Sequence, residues 1–247
     1  MVASMEAARN AIGVVGNIIA LFLFLSPVPT FIQICKKGAV EQYSAAPYLA
    51  TLTNCMIWVL YGIPWVHPNS TLVWTINSTG TLIELVFITL FLIYSEKKKR
   101  VKVVVVVVLE IIFMVALTVP VLTVLKTTER RSMVVGTICI LFNIMMYASP
   151  LSVMKMVIRT KSVEYMPFCL ALASFANGVA WTIYALLPFD PFICIPNGLG
   201  TLSGLAQMIL YATYYKSTKR QIEARQAAQK EAELVGNGHP KNHNISV

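Results

Sequence analysis

The sequence predicts an all-α integral membrane protein whose seven transmembrane helices form two parallel three-helix bundles joined by a linker helix. Three observations predict this fold: a shortage of charge, seven long apolar stretches and an internal repeat. Only 13% of the 247 residues are charged and 57% are hydrophobic, whereas soluble domains carry about a quarter charged residues. The chain has too little polar surface for water, so a lipid bilayer is its natural solvent.

The apolar stretches are long enough to cross a membrane, since about 20 residues of helix span a hydrocarbon core of roughly 30 Å. The predicted spans are 11–34, 47–66, 71–94, 101–125, 132–157, 167–187 and 191–215. The fourth contains six consecutive valines at 103–108, a composition that is typical of strands in water. A lone strand cannot satisfy its backbone in lipid, so we expect a helix there too.

The basic residues predict the orientation of these spans. If residues 1–10 form an outer N-terminus, 16 of the 20 basic residues fall on the inner side, and the outer side keeps Arg9, Lys126, Arg130 and Arg131. This bias predicts an N-out, C-in topology. The net charge of +9 is therefore topological, and we expect no nucleic-acid partner. The first ten residues, MVASMEAARN, do not resemble a cleavable signal peptide.

The sequence contains no constellation typical of an enzyme or a metal site. Its histidines, at 67, 239 and 243, fall in a predicted loop or in the tail. Its five cysteines, at 35, 55, 139, 169 and 194, place no pair in an outer loop. We expect no cofactor, no metal and no disulfide framework. The tail, 216–247, is expected on the cytosolic side, helical at its start and partly disordered after that.

An internal repeat organises the chain. Ten positions between 13 and 61 recur at an offset of 123, including Pro27/Pro150, Asn54/Asn177, Trp58/Trp181 and Tyr61/Tyr184. The motif N-x-x-G-T-L then recurs at an offset of 120, beginning at Asn77 and at Asn197. Matched Pro, Trp, Tyr and Asn in one order are far less common by chance than matched apolar residues.

The repeat predicts the domain organisation. Two units of three spans, 11–94 and 132–215, flank the linker helix at 101–125. Because three is odd, directly joined units would be inverted, and one intervening helix makes them parallel.

The residues that carry this repeat resemble a known family. The patterns LSPVPTF in the first span, YASPLSVM in the fifth, VEYMPF, the paired W-x-x-Y and the two intramembrane asparagines are similar to those of SWEET (MtN3/saliva) sugar transporters, and to plant members in particular. The resemblance covers about residues 10–215. Parallel repeats are known from this family itself, so the repeat and the resemblance are not independent arguments for the fold.

The repeated polar residues predict a binding site between the two units. Substrate sites in transporters built from repeats lie near the midplane, at the repeat interface. At about 1.5 Å per residue, Trp58 and Trp181 reach mid-membrane, and Asn77 and Asn197 reach a similar depth from the outer side. Carboxamides both donate to and accept from hydroxyl groups, and indole faces cover apolar C–H surfaces. An isolated Asn more often joins helices by hydrogen bonds, but two matched pairs favour a sugar site.

The resemblance implies further pocket residues and a substrate. Asn54, Asn177 and Met146 occupy positions that line the pocket in the family, and here they carry fairly large side chains. Members that favour disaccharides typically have small residues at such places. The resemblance therefore implies a monosaccharide, a hexose such as glucose, in preference to sucrose.

The resemblance also implies two gates. Pro27, Pro47, Pro150 and Pro167 would hinge an inner gate, although Pro47 and Pro167 also suit an ordinary helix start. Tyr61, with its repeat mate Tyr184, would close an outer gate against Asp190, which could instead simply cap a helix before Pro191. Interior proline removes a backbone donor and kinks a helix.

We therefore expect a facilitative sugar uniporter that works by alternating access, with the plasma membrane as the first candidate location and the vacuolar membrane as an alternative. The resemblance implies a homo-oligomer, a trimer. One rival is a proton-coupled PQ-loop transporter, for which Glu84 and Glu110 are the intramembrane acids to consider. Glu84 corresponds to Gly204 in the repeat, so it has no symmetric mate, and a protonated or paired structural role is the alternative. Another rival, a seven-helix receptor, would not be expected to show this repeat.

Overall fold

The computed structural model describes residues 2–237, which are almost entirely helical. The helices are α1 Val2–Leu25, α2 Val28–Lys37, α3 Ala46–Gly62, α4 Thr71–Tyr94, α5 Lys97–Thr123, α6 Thr128–Met146, α7 Ala148–Thr160, α8 Phe168–Ala185 and α9 Pro191–Asn237. The pairs α1/α2 and α6/α7 are each one interrupted span. The described chain thus has the seven predicted spans, and the prediction of an all-α membrane fold is confirmed.

Six of the seven spans are long and apolar enough to cross a bilayer by length and composition alone. The remaining one, α3, has only 17 residues. The structure also moves two boundaries. Helix α1 begins at Val2, so the predicted outer N-terminus is helical. Helix α9 runs through the predicted start of the tail as far as Asn237, and the rest of the tail, 238–247, for which we predicted disorder, lies outside the described residues.

The first and fifth spans are interrupted beside their interior prolines. Pro27 has no N–H to donate to the carbonyl of Leu23, and Ser26 replaces the missing bond with its own N–H at 3.1 Å and its hydroxyl at 2.7 Å. In the second unit the break falls at Tyr147, and Pro150 is the third residue of the helix that follows. The repeated Ser-Pro pair therefore divides the same span in both units.

Each repeat folds as a bundle in which the third span lies between the other two. Helix α4 packs on α1 and α3, and α9 packs on α6 and α8. The bundles meet where α1 contacts α8 and where α3 contacts α6. Exchanging the two repeats turns the α1–α8 contact into the α6–α3 contact. This is expected for parallel units related by an axis along the membrane normal. The linker α5 contacts α3 and α6.

The core is shared at one end of the molecule and divided at the other. We call the end that bears residues 63–70 the loop end, and the opposite end, with Lys36, Lys37 and 97–100, the basic end. Toward the loop end one cluster joins both bundles, from Trp58 and Tyr61 to Trp181 and Tyr184. Toward the basic end there are two separate clusters, one around Phe31 and Phe87 and the other around Val157 and Met166.

The extension of α9 beyond the bundle holds the α7–α8 connection. The hydroxyl of Thr218 accepts a hydrogen bond from the backbone N–H of Val163 at 2.8 Å, and Arg225 forms a two-pronged ion pair with Glu164, with a closest approach of 2.8 Å. In the first repeat Glu41, the mate of Glu164, pairs with Lys37 at 2.8 Å. Both repeated glutamates thus form surface ion pairs at the basic end.

Candidate substrate site

A cavity of about 150 Å³ lies between the two bundles. It is lined by Ala20, Phe24, Asn54, Trp58, Val73, Ile76, Asn77, Asn143, Asn177, Trp181, Ile193 and Asn197. Six of these were predicted from the sequence: the two tryptophans and the asparagines at 54, 77, 177 and 197. The lining combines five carboxamides with two indoles, and none of the described residues in it is charged.

The tryptophans hold equivalent positions in the two repeats. Trp58 lies four residues before the end of α3, and Trp181 lies four residues before the end of α8. Each packs edge-to-face on the tyrosine of its own W-x-x-Y pair, with ring centroids 5.5 Å apart in the first repeat and 5.1 Å apart in the second. This spacing is that of favourable aromatic pairs, so each tyrosine fixes the orientation of its tryptophan at the cavity.

The asparagines leave acceptor oxygens for a ligand. The amides of Asn77 and Asn197 each donate to the carbonyl four residues earlier, both at 2.8 Å, and Asn143 does the same at 3.2 Å. The side-chain oxygens of Asn54 and Asn177 are buried and make no hydrogen bond within the described part of the chain. Because a buried acceptor without a partner is costly, a ligand that brings hydroxyl donors would gain binding energy here.

The repeated N-x-x-G-T-L motif has one structural explanation in both repeats. Thr81 and Thr201 donate back to the carbonyls of Asn77 and Asn197, at 2.8 Å and 2.9 Å. The glycines of the motif lie against the first span of their own unit. A Cβ on Gly80 would come within 2.6 Å of the ring of Phe24, and one on Gly200 within 2.9 Å of the hydroxyl of Tyr147. The asparagine faces the cavity, and the glycine provides the close helix approach behind it.

The structure does not bring Met146 to this cavity. Met146 is the last residue of α6, and the residue of α6 that lines the cavity is Asn143, almost one turn earlier. Sequence reasoning missed Asn143 because its repeat mate is Ala20, which lines the same cavity without a polar group. A polar residue in α6 at the depth of the tryptophans was the signal that could have found it.

The loop end of the cavity is closed by a contact between the two repeats. The hydroxyl of Tyr61 lies 3.0 Å and 2.9 Å from the two carboxylate oxygens of Asp190, and both residues are buried. Asp190 also caps α9, since one of its oxygens accepts from the N–H groups of Phe192 at 2.9 Å and Ile193 at 3.3 Å. The structure therefore contains both the Tyr61–Asp190 contact and the helix cap, and the role of the contact as a gate stays a prediction.

His67 joins this contact from the loop. Its ring stacks on Tyr61 with centroids 4.7 Å apart, one ring nitrogen lies 2.8 Å from the hydroxyl of Ser70, and the other lies 3.5 Å from Asp190. Burial lowers the pKa of His67 below its ordinary value; the Asp190 carboxylate opposes this shift, and the Arg9 guanidinium reinforces it. The imidazole is therefore neutral at pH 7.

Tyr184 is placed differently from its mate Tyr61. Its ring lies under the guanidinium of Arg9, 4.2 Å from centroid to cation, and Arg9 also donates to the backbone carbonyl of Asn69 at 3.0 Å. Arg9 is buried although it is charged. Sequence reasoning treated Arg9 only as an outer basic residue, because the repeat gives it an uncharged mate, Ser132.

The second repeat also holds the loop 63–70. The hydroxyl of Ser132 donates to the carbonyl of Val66 at 2.6 Å, and Arg131 donates to the carbonyl of Trp65 at 2.9 Å. With the Tyr61–Asp190 contact, these bonds tie the loop of one bundle to the helix ends of the other.

The four predicted hinge prolines occupy two kinds of position. Pro27 and Pro150 lie at the breaks of the first and fifth spans and are half-buried. Pro47 is the second residue of α3, Pro167 immediately precedes α8, and both are exposed. Only the first pair interrupts a span, while the second pair stands where proline suits a helix start.

The two intramembrane acids lie away from the cavity lining. Glu84 is buried among residues of the first bundle, and one of its carboxylate oxygens makes no hydrogen bond within the described residues. At the matching position of the second bundle, a Cβ on Gly204 would come within 2.8 Å of the backbone of Phe175. Helix α9 is therefore too close to α8 to admit a carboxyl group, which explains why Glu84 has no mate.

The geometry can bind a small neutral polyol. Two indole faces offer apolar walls, five carboxamides offer donors and acceptors, and the absence of charge in the lining avoids a preference for ions. The cavity lies between units that share a core on one side and have separate cores on the other. This is the arrangement expected of a site reached alternately from two sides.

Comparison with known proteins decides the family. The sequence profile described as "Sugar efflux transporter for intercellular exchange" matches residues 10–99 and 133–219, which are the two repeats, and leaves out the linker helix except for its first three residues. This chain belongs to the SWEET family. The resemblance predicted from its motifs is confirmed.

SWEET proteins similar to this chain include the bidirectional sugar transporter SWEET7 of Arabidopsis thaliana, which is 60% identical over 91% of this chain and 87% of its own length. Another is the bidirectional sugar transporter SWEET4 of Oryza sativa subsp. indica, 61% identical over 94% and 89%. A solved structure of a eukaryotic SWEET transporter matches with a TM-score of 0.84 and 40% identity, covering 86% of this chain and 99% of that one.

Proposed function

We propose that this protein is a facilitative, bidirectional sugar transporter that carries a hexose, with glucose as the first candidate. The observation that carries the proposal is the uncharged cavity between the repeats, to which each bundle contributes one tryptophan and a matched pair of asparagines. SWEET relatives at about 60% identity are described as bidirectional sugar transporters. Sugar moves down its own gradient, since transport of this kind needs no energy source.

The size of the cavity supports a monosaccharide. Its volume of about 150 Å³ is below the roughly 300–1,000 Å³ of sites that hold drug-sized ligands. Asn54 and Asn177 narrow it from both sides, where smaller residues would leave more room. We therefore expect a hexose to bind better than sucrose.

Transport proceeds by alternating access. The joined core and the Tyr61–Asp190 contact correspond to a state that is closed at the loop end, and the separate cores at the basic end are those of bundles free to part there. In the opposite state the loop-end contacts break and the basic end closes. Pro27 and Pro150 are placed to hinge the first and fifth spans during this change, and Pro47 and Pro167 to pivot the helices that follow.

We further propose that the loop end faces outward, that the basic end is cytosolic, and that the protein forms a homotrimer in the plasma membrane or the vacuolar membrane. The positive-inside bias supports the orientation. The oligomer is carried over from the family resemblance, and we place its contact on the linker α5, whose exposed residues include Val104, Val108 and Ile112. A membrane-impermeant maleimide reacting with Glu129→Cys from outside tests the orientation. Light scattering of the purified protein tests the trimer.

The proposed activity is tested by uptake of radiolabelled glucose into liposomes that contain the purified full-length protein, with no pH gradient imposed. Asn77→Ala and Asn197→Ala are compared with Asn10→Ala, in which an exposed asparagine outside the cavity is changed. Unlabelled sucrose and glucose are compared as competitors. We expect glucose to equilibrate across the membrane, both cavity variants to lose uptake, and the control to retain it.

Uptake that requires an imposed proton gradient would contradict the uniporter and favour proton coupling through the buried carboxyl of Glu84. Loss of uptake in Asn10→Ala as well would mean that the cavity residues carry no special role. Stronger competition by sucrose than by glucose would contradict the assignment of a hexose.

A further inference from the structure

A second groove lies at the basic end of the first bundle, outside the substrate site. It has a volume of about 440 Å³ and opens between the loop before α3, the end of α4 and the start of α5. Its inner wall is apolar and includes Leu49, Phe91 and Val103, which are buried, and Val106, which is 38% exposed. Its rim carries Lys99 and Lys102 from the linker helix and Glu41 from the loop.

The charges at the rim favour an anion. The carboxylate of Glu41 is already paired with Lys37 at 2.8 Å, and Lys99 donates to the backbone carbonyl of Glu41 and not to its carboxylate. Lys102 is exposed at the same rim. Both ammonium groups therefore keep their charge for a ligand.

The start of α5 adds to this preference. The first turn of the helix, 97–100, contains four basic residues and no acid, although the N-terminus of a helix is itself partly positive. Arg100 is used to satisfy the carbonyls of Leu92, Ile93 and Ser95 at the end of α4. The remaining lysines repel the helix dipole, and an anion at the rim would offset that repulsion.

The order of charge and apolar surface along α5 matches a lipid. Lys99 and Lys102 stand at the membrane surface, and Val103 and Val106 follow about one turn deeper in the span. A ligand that fits both has an anionic head and an aliphatic body that runs along the membrane normal. Basic pockets between membrane helices bind anionic headgroups in this way.

We propose that this groove binds an anionic phospholipid, with its phosphate at Lys99 and Lys102 and an acyl chain along Val103 and Val106. The proposal rests on the proposed function only in taking the basic end as the cytosolic face. The bound lipid joins the linker helix to the loop that precedes α3.

The second bundle provides a comparison within the same molecule. Its groove at the matching place contains Glu164, the mate of Glu41, together with Met166, Tyr211 and Tyr215. The wall that α5 supplies in the first bundle is supplied here by α9, which brings Lys219 and also Glu223. With two carboxylates and one lysine in its lining, this groove lacks the charge to hold an anion.

The comparison separates a lipid site from a general effect of topology. If the lysines of α5 served only the positive-inside bias, removing them would reduce the binding of an anionic lipid no more than removing two lysines of α9. If they form a site, only the α5 pair matters. Lys216 and Lys219 offer a pair at the same end of the molecule with the same total charge.

The test is native mass spectrometry of the purified full-length protein with dioleoyl phosphatidylglycerol or dioleoyl phosphatidylcholine, which share their acyl chains. The variants are Lys99→Gln/Lys102→Gln, the charge-preserving Lys99→Arg/Lys102→Arg, and the control Lys216→Gln/Lys219→Gln. A single Lys102→Gln variant leaves the contact between Lys99 and Glu41 in place. Glycerol phosphate is added as a headgroup without chains.

We expect the wild-type protein to bind phosphatidylglycerol about tenfold more tightly than phosphatidylcholine, because the choline ammonium neutralises the phosphate that the two lysines would otherwise attract. The preference should fall severalfold in Lys102→Gln, disappear in the double Gln variant, and persist in the Arg variant and the control. Glycerol phosphate should compete poorly. Equal binding of the two lipids, or an equal loss in the control, would overturn the proposal. Because no sugar is involved, the lipid-binding result can be interpreted even if the transport assay shows no sugar uptake.

Discussion

The two repeats are nearly alike at the cavity between the bundles and unlike at the loop end. At the cavity each supplies a tryptophan held by a tyrosine, an asparagine bonded to its own helix and a buried asparagine oxygen that has no partner among residues 2–237. At the loop end Tyr61 reaches Asp190 across the interface, whereas Tyr184 lies under Arg9. In the pair W-x-x-Y, the tryptophans therefore have the same place in both repeats, whereas the tyrosines have different surroundings at the loop end.

The difference originates in the connection between the second and third spans of each repeat. The repeat offset is 123 up to Tyr61/Tyr184 and 120 from Ser70/Asp190 onward, so the first connection is three residues longer. The extra length lets the loop 63–70 cross to the second bundle, where Arg131 and Ser132 hold its carbonyls. A cavity must fit its substrate from both sides, but one loop that crosses the interface is enough to close an end.

The largest effect tests the symmetric part of this comparison. Asn77→Ala and Asn197→Ala should each reduce glucose flux about 5- to 150-fold, since each leaves a buried hydroxyl of the sugar without its hydrogen-bond partner, at a cost of roughly 1–3 kcal/mol. Because both serve one cavity, the two losses should agree within about threefold in liposome uptake. A large loss for one and none for the other would show that the halves are not equivalent.

Two substitutions distinguish the contact of Asp190 with Tyr61 from its role as the cap of α9. Asp190→Ala removes both the acceptor for Tyr61 and the cap of α9, and should destabilise the protein by about 2–3 kcal/mol. Tyr61→Phe removes only the hydrogen bond to Asp190 and leaves the cap of α9 in place, so it should cost about 1 kcal/mol less than Asp190→Ala. Thermal unfolding in detergent, read as Tm, measures both. Equal Tm values for the two variants would remove the cap from the account.

Arg9 and Ser132 are repeat mates that hold the same loop by different chemistry. Arg9→Met retains an apolar stem but loses the contact with Tyr184 and the bond to Asn69, and should cost about 1–2 kcal/mol. Ser132→Ala loses one buried hydrogen bond, worth about 1 kcal/mol. Tm measured for each and for the double variant checks the values. The two losses should not add, because both residues fix one loop; full additivity would contradict this.

The smallest effect is a pH dependence that arises from His67. Its pKa in the folded protein lies below the ordinary value of about 6.5, so the unfolded chain takes up the proton first as pH falls. Stability is therefore fully present above pH 6.5 and declines below it. The groups that face the imidazole are Asp190, Tyr61 and Arg9. Between pH 7.5 and 5.5, the Tm of the wild-type protein should fall more than the Tm of His67→Gln. Parallel curves would show that His67 is not the source of the pH dependence.

The repeat explains both what the sequence could predict and what it could not. Asn77/Asn197 and Trp58/Trp181 were found because identical residues recur at one offset. Asn143 and Arg9 were missed because their mates are Ala20 and Ser132, and a search for matched pairs passes over positions where the repeats have diverged. The partner of Tyr61 came from the family resemblance, since no pattern in the sequence links residues 129 apart.

The positions at which helices break and end were harder to predict from the sequence, for a different reason. The Ser-Pro pairs signal the breaks in the first and fifth spans, but whether the chain kinks or stops depends on how Ser26 and Tyr147 satisfy the freed backbone. The continuation of α9 to Asn237 agrees with the predicted helical start of the tail, since residues 221–233 are rich in Ala, Gln, Glu and Lys, whereas the ion pair Arg225–Glu164 that joins it to the bundle was not foreseen.

Our central proposal is that only the tyrosine of the first repeat, Tyr61, keeps the loop end closed. Its most direct test is the distance between the two bundles at the loop end. Spin labels on Thr71→Cys at the start of α4 and Glu129→Cys at the start of α6, in a Cys35→Ser/Cys169→Ser background, report that distance by pulsed electron resonance. Tyr61→Phe removes the hydroxyl that bonds Asp190, so it should shift the population toward longer distances. Tyr184→Phe keeps the ring under Arg9 and should leave the distribution unchanged. Equal shifts in the two variants would mean that both repeats close the gate, and would contradict the account.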